Sequence, residues 1–255
     1  MLFLRSQLRL CYIVDADLVT SGRLVEHCQE LFNAGVTSLF FRLAGKSIPA
    51  PAQADLTALV ALTRKLGRYC FMIDDTVAAV AQNCHGVFFS RKPPNAARVR
   101  EVIGTDRFLG CNVSNFDDVS QISTCEFEEF FDFYGIGPVI QFGEKSHRPI
   151  GLAAAKRITE KLRQRPVFWM GGIQPEGISE FETGFADGIA VARSLNSENV
   201  QGEAQRLHRL LARRLGPCVW SVGHPPADVT FKYSALKPEE LASPEIPVAP
   251  LLRYI

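Results

Sequence analysis

The chain has 255 residues, 47% of them hydrophobic, enough to bury one large core rather than several small ones. Its 28 Lys and Arg against 27 Asp and Glu leave a formal charge of +1, which excludes a long-range field for nucleic acid or an anionic membrane, so any anion site must be local. No run approaches the roughly 18 consecutive apolar residues of a membrane span. The opening residues carry Arg5 and Arg9 and lead straight toward a strand, which reads as a cytoplasmic start.

Eight apolar runs follow one another: Cys11 to Val14, Ser38 to Arg42, Cys70 to Ile73, Gly86 to Phe89, Phe108 to Val113, Phe131 to Ile136, Val167 to Met170 and Ile189 to Ala192. Segments of helical period separate them, as at Leu24, Cys28, Leu31 and Phe32, or Leu56, Leu59 and Val60. Continuous rather than alternating apolar strands imply burial on both faces, hence a parallel sheet covered by helices. Eight such units predict a closed (β/α)8 TIM barrel over residues 1–215. A doubly wound sheet would carry a glycine fingerprint after its first strand, and Val14 to Thr20 has none. The last barrel helix is expected from about Ser197 to Leu215. Residues 216–255 hold seven of the fifteen prolines together with Trp220, Phe231 and Tyr254, which predicts an extension packing on the barrel or on a second subunit.

The seven cysteines show no CxxC spacing, and the histidines form no ligand pair with them. Buried thiols in a reducing compartment are expected rather than disulfides or zinc.

In a barrel, side chains just past the C-terminal strand ends face one mouth. Arg42 ends the second strand, Asp74 and Asp75 end the third, Asn112 and Ser114 the fifth, and a glycine-bearing loop with Lys145 follows the sixth. Gly171 and Gly172 follow the seventh and Ala192, Arg193 and Ser194 the eighth, where barrels often cradle phosphate. Each feature has a plainer reading. The glycines make a tight turn, Arg42 a strand-end ion pair, and Asp74-Asp75 a helix cap instead of a magnesium site.

These segments resemble the thiamine-phosphate synthase and TenI superfamily over roughly Tyr12 to Leu195. The resemblance rests on AGVTSLFFR, IDDTVAAVAQNCHGVFF, FLGCNVSNFDD, YGIGPVIQFGEK and GGIQPEGISEFETGFADGIAVARSL. It implies an enzyme that joins a hydroxymethylpyrimidine diphosphate to a thiazole phosphate and releases pyrophosphate with magnesium help. Arg42 then matches the diphosphate arginine, Asp75 a magnesium ligand with Asp74 beside it, and Lys145 the loop lysine. Asn112 stands where a serine meets pyrophosphate. Gly171 and Gly172, with Ala192 to Ser194, match the thiazole-phosphate cradle. Small phosphorylated heterocycles are the implied substrates, and a homo-oligomer is a reasonable expectation.

Departures are expected to alter the chemistry. Pro93 replaces the second metal carboxylate, Ala44 the lysine after the arginine, and Ser114 the catalytic histidine of TenI-type tautomerases. Arg91 and Lys92 offer cations where an acid is expected, which could neutralise phosphate without metal. Three functions stay open: a synthase with altered substrate or reduced activity, a related enzyme without the metal step, and a non-catalytic phosphate-ligand binding protein.

Overall fold

The computed structural model describes residues 2–15, 22–43, 50–123, 128–141, 148–182, 184–195 and 199–216. Eight parallel strands close into a barrel in chain order. They are β1 (Leu10–Asp15), β2 (Ser38–Arg42), β3 (Tyr69–Ile73), β4 (Gly86–Phe89), β5 (Phe108–Val113), β6 (Phe133–Ile136), β7 (Val167–Met170) and β8 (Gly188–Val191). Cys11 opposite Ala190 closes the ring, and Asp15 opposite Arg42 sets its upper edge.

The α-helices are α1 (Leu2–Gln7), α2 (Leu24–Asn33), α3 (Ala50–Lys65), α4 (Thr76–Ala81), α5 (Ala96–Ile103), α6 (Phe116–Ser123), α7 (Leu152–Leu162) and α8 (Val200–Leu215). Alternation along each strand divides the apolar residues between two cores. Leu39, Phe41, Cys70, Met72 and Val87 pack outward under the helices. Phe40, Phe71, Phe88, Phe133 and Phe168 fill the barrel interior. Phe40 stacks on Phe71 with ring centroids 4.7 Å apart and meets Phe88 edge-on at 5.5 Å. Two glycines make room for these rings. A Cβ on Gly110 would come 2.4 Å from the Phe133 ring, and one on Gly135 would come 2.7 Å from that of Phe88.

The first residues differ from expectation, because α1 precedes β1. Leu4 and Leu8 join the interior core as a stopper under the phenylalanine rings. Arg5 donates to Asp187 at 2.6 Å, and the same carboxylate oxygen accepts Val167 N–H at 2.8 Å, tying α1 to the start of β7. β6 begins at Phe133 rather than Phe131, since Asp132 turns its carboxylate toward Leu109 N–H and Arg100. The crossover after β7 shortens to a 3-10 helix, Pro175–Glu180.

Cys11, Cys28, Cys70, Cys84 and Cys111 are free and buried, and burial pushes the thiols of Cys11, Cys28 and Cys111 up. The expected extension over 216–255, apart from Gly216, lies outside the described residues, as do Cys125 and Cys218. Among the described residues no helix is long and apolar enough to cross a membrane.

Candidate active site at the barrel mouth

Arg42 is the last residue of β2, and its side chain turns toward Asp15 at the end of β1. Nε and Nη2 lie 2.8 and 2.7 Å from the same Asp15 oxygen, and the two side chains are 47% and 37% exposed. This geometry is the ion pair of the plainer reading, yet it also holds the guanidinium at the rim. Arg42 lines a pocket of about 270 Å³ together with Gly171, Gly172, Ala192, Arg193 and Ser194, over an apolar floor of Ile13, Met170 and Ala190.

The glycine pair owes its identity to close approach. Both residues have positive φ, 85° at Gly171 and 72° at Gly172. The segment after β6 runs against them, with Val139 N–H donating to Met170 O at 2.9 Å and Ile140 N–H to Gly171 O at 3.1 Å. A Cβ on Gly172 would meet the Ile140 carbonyl oxygen at 2.0 Å. On the facing wall, Ala192 leads into the 3-10 turn Arg193–Leu195, closed by Leu195 N–H to Ala192 O at 3.1 Å. Ser194 Oγ is buried there with no hydrogen-bond partner. A buried hydroxyl left unmatched costs stability, so it invites a polar ligand atom.

The two aspartates are engaged elsewhere. Asp75 is the N-cap of α4, its Oδ1 accepting Ala78 N–H at 2.8 Å. Asp74 has φ 56°, and its two carboxylate oxygens accept Ser90 N–H at 2.8 Å and Ser90 Oγ–H at 2.5 Å, stitching β3 to the end of β4. Pro93 is buried where the resemblance calls for a second acid. Among the described residues no group of three His, Cys, Asp or Glu side chains is gathered to hold a metal. Both oxygens of Asp74 and one of Asp75 are thus committed within the fold, which leaves Asp75 Oδ2 outside these bonds.

Asn112 stands outside the pocket wall. Its Nδ2 donates to Gly137 O at 2.9 Å, while Oδ1 is buried without a partner. Ser114 donates from both N–H and Oγ–H to Asp118, at 2.7 and 2.8 Å. Lys145 lies outside the described residues. Sequence reasoning missed Asp15 and Ser90 as the partners of Arg42 and Asp74. It also missed Gln174, which lines the pocket right after the glycine turn; its place in GGIQ was the available signal.

Fold and mouth together define a (β/α)8 barrel with a ligand-sized pocket at the C-terminal ends of its strands. The family model for thiamine monophosphate synthase (TMP-TENI) matches residues 10–195. A thiamine-phosphate synthase of Moorella thermoacetica is 25% identical over 210 residues, covering 80% of this chain and 97% of that protein. One from Prochlorococcus marinus is 26% identical over 78% of this chain, which spans only 56% of that longer protein. Among solved structures, thiamine phosphate pyrophosphorylase from Pyrococcus furiosus superposes with a TM-score of 0.71 at 26% identity, covering 84% of this chain and all of the other. The chain belongs to the thiamine monophosphate synthase family, and with it to the transferases.

Proposed function

We propose that this chain is a thiamine-phosphate-synthase-type transferase that keeps the family's thiazole-phosphate cradle and has rebuilt its diphosphate end. The observation that carries the reading is the single pocket joining Arg42, Gly171-Gly172 and Ser194, with the Ser194 hydroxyl buried and unmatched. The phosphate of a thiazole phosphate sits between the glycine turn and the Ala192 to Ser194 turn, and its ring lies over the apolar floor.

In the family reaction the pyrimidine carbon–oxygen bond breaks, pyrophosphate departs with the bonding electrons, and the thiazole nitrogen adds to the resulting cation. No protein nucleophile is needed; the protein's part is to stabilise charge on the leaving group. Arg42 and Lys145 are this chain's family cations for that task, and Arg91 and Lys92 add positive charge beside Pro93, where the family carries a metal carboxylate. Each lost charge contact costs about 2–4 kcal/mol of transition-state stabilisation, so turnover falls below that of metal-dependent relatives.

A second reading, an enzyme acting on a phosphorylated heterocycle without ionising a diphosphate, is favoured by the Asp74–Ser90 bonds and by Pro93. The TenI tautomerase chemistry is disfavoured, since Ser114 is bound to Asp118. Calorimetric titration with thiazole phosphate, then with hydroxymethylpyrimidine diphosphate, each with and without magnesium, separates these. Binding of both ligands, followed by pyrophosphate release when they are mixed, is the expected result. Binding of the thiazole phosphate alone supports the second reading, and binding of neither overturns both.

A further inference from the structure

At the opposite, N-terminal end of the strands, the end of α2, the turn before β3 and the outer part of α8 border a groove of about 430 Å³. Its polar lining is Asn33, Arg68, Gln205, His208 and Arg209, and none of its lining residues carries a carboxylate. Two guanidinium groups, an imidazole and two amides therefore share one concavity.

A further fixed charge acts on it. Arg9, ahead of β1, is buried and held by the carbonyl oxygens of Leu215 at 3.3 Å and Gly216 at 2.5 Å. Burial, then Arg9 and Arg68, push the His208 imidazole below its ordinary value, with the Gly35 backbone acting in the opposite sense. His208 Nδ1 is buried against the Gly35 backbone, and the ring packs so closely there that a Cβ on Gly35 would lie 2.7 Å from it. The C-terminus of α2 faces the groove but brings only about half a negative charge. Arg9 and Arg68 both act on His208 with positive charge.

We propose that this groove binds a small oxyanion of the phosphate class: inorganic phosphate, pyrophosphate or a phosphate monoester. A tetrahedral oxyanion offers acceptors in several directions at once, which suits a groove lined by Arg68 and by Arg209, whose Nε already donates to Gln205 O at 3.3 Å, together with the amides of Asn33 and Gln205. A carboxylate presents only one plane. The site lies at the other end of the barrel from the mouth and does not rest on the synthase reading. A bound phosphate anion opposes the positive field of Arg9 and Arg68 on His208, so its imidazole gains a proton more readily in the complex. By linkage, protonation of His208 favours binding of an anion of given charge.

The test is a titration of the full chain with inorganic phosphate, followed by NMR of the His208 imidazole, assigned by its loss in His208→Gln. The expected result is a saturable shift accompanied by a rise in the His208 pKa. That response should persist in Ser194→Ala, which alters only the mouth, and weaken about tenfold or more in Arg68→Gln/Arg209→Gln. If that pair fails to fold, Arg68→Lys/Arg209→Lys keeps the charge, removes the forks and should show the same weakening. A His208 signal that does not respond, an undiminished response in the folded double variant, or an equal response to chloride at matched ionic strength would overturn the proposal.

Discussion

Gly172 and Ile140 approach so closely that a methyl group on the glycine would stand 2.0 Å from the Ile140 carbonyl oxygen. Gly184 shares its backbone angle, φ 71° against 72°, but has nothing within 4 Å of the same position. The pair separates backbone strain from contact. Gly184→Ala is expected to cost about 1 kcal/mol for the left-handed conformation alone. Gly172→Ala should cost at least about 1 kcal/mol more, because the 138–140 segment must move, and it should abolish binding of thiazole phosphate. Urea denaturation and calorimetry on both variants check this.

Arg42 and Asp15 form a half-exposed pair, and such pairs contribute little to stability. Arg42→Gln is therefore expected to change unfolding free energy by less than about 1 kcal/mol. The same change should weaken diphosphate binding about tenfold or more, since the guanidinium lines the pocket. A large loss of stability with unaltered binding would assign Arg42 to the fold alone.

Asp75 caps α4, so Asp75→Ala should cost about 1 kcal/mol while Asp75→Asn, which still offers an oxygen to Ala78 N–H, should cost only a few tenths. If the carboxylate also held magnesium, Asp75→Asn would remove any magnesium dependence of diphosphate binding. The expected result is that wild type shows no such dependence to remove.

Arg91 and Lys92 follow Ser90 at the end of β4, beside Pro93, where the resemblance calls for an acid. Arg91→Ala/Lys92→Ala should lower pyrophosphate release about a hundredfold if these cations replace the metal. Unchanged turnover would sink that part of the mechanism.

His27 and His208 are both held below the ordinary value of 6.5, chiefly by burial, and His27 Nε2 lies 3.2 Å from the Tyr12 hydroxyl. A folded value beneath the unfolded one means that the unfolded chain takes up protons first as pH falls. Stability contributed by the neutral rings is thus complete above about pH 6.5 and is lost as pH drops through their lowered values. The urea midpoint should fall between about pH 7.5 and pH 5.5, and His27→Gln/His208→Gln should flatten the slope. An unchanged slope in the double variant would place the titrating groups elsewhere.

The order and number of strands were legible because continuous apolar runs between helical segments have one economical solution, a parallel sheet buried on both faces. The helix cap at Asp75 was also open to reading, since a capping carboxylate acts on N–H groups two or three positions ahead of it. Local chemistry could not reveal what each end-of-strand side chain turns toward. Arg42 meets Asp15, and Asp74 meets Ser90, only because barrel closure and its register bring those strand ends together. The same closure sends Phe40, Phe71, Phe88, Phe133 and Phe168 inward to one core, and it folds the first residues into a stopper instead of an extended lead. It also gathers Arg68 and Arg209, remote in the chain, about one groove. Sequence determined what could be buried and where the chain could turn. The closed sheet decided which charges became neighbours, because their spacing depends on register around the ring rather than on distance along the backbone.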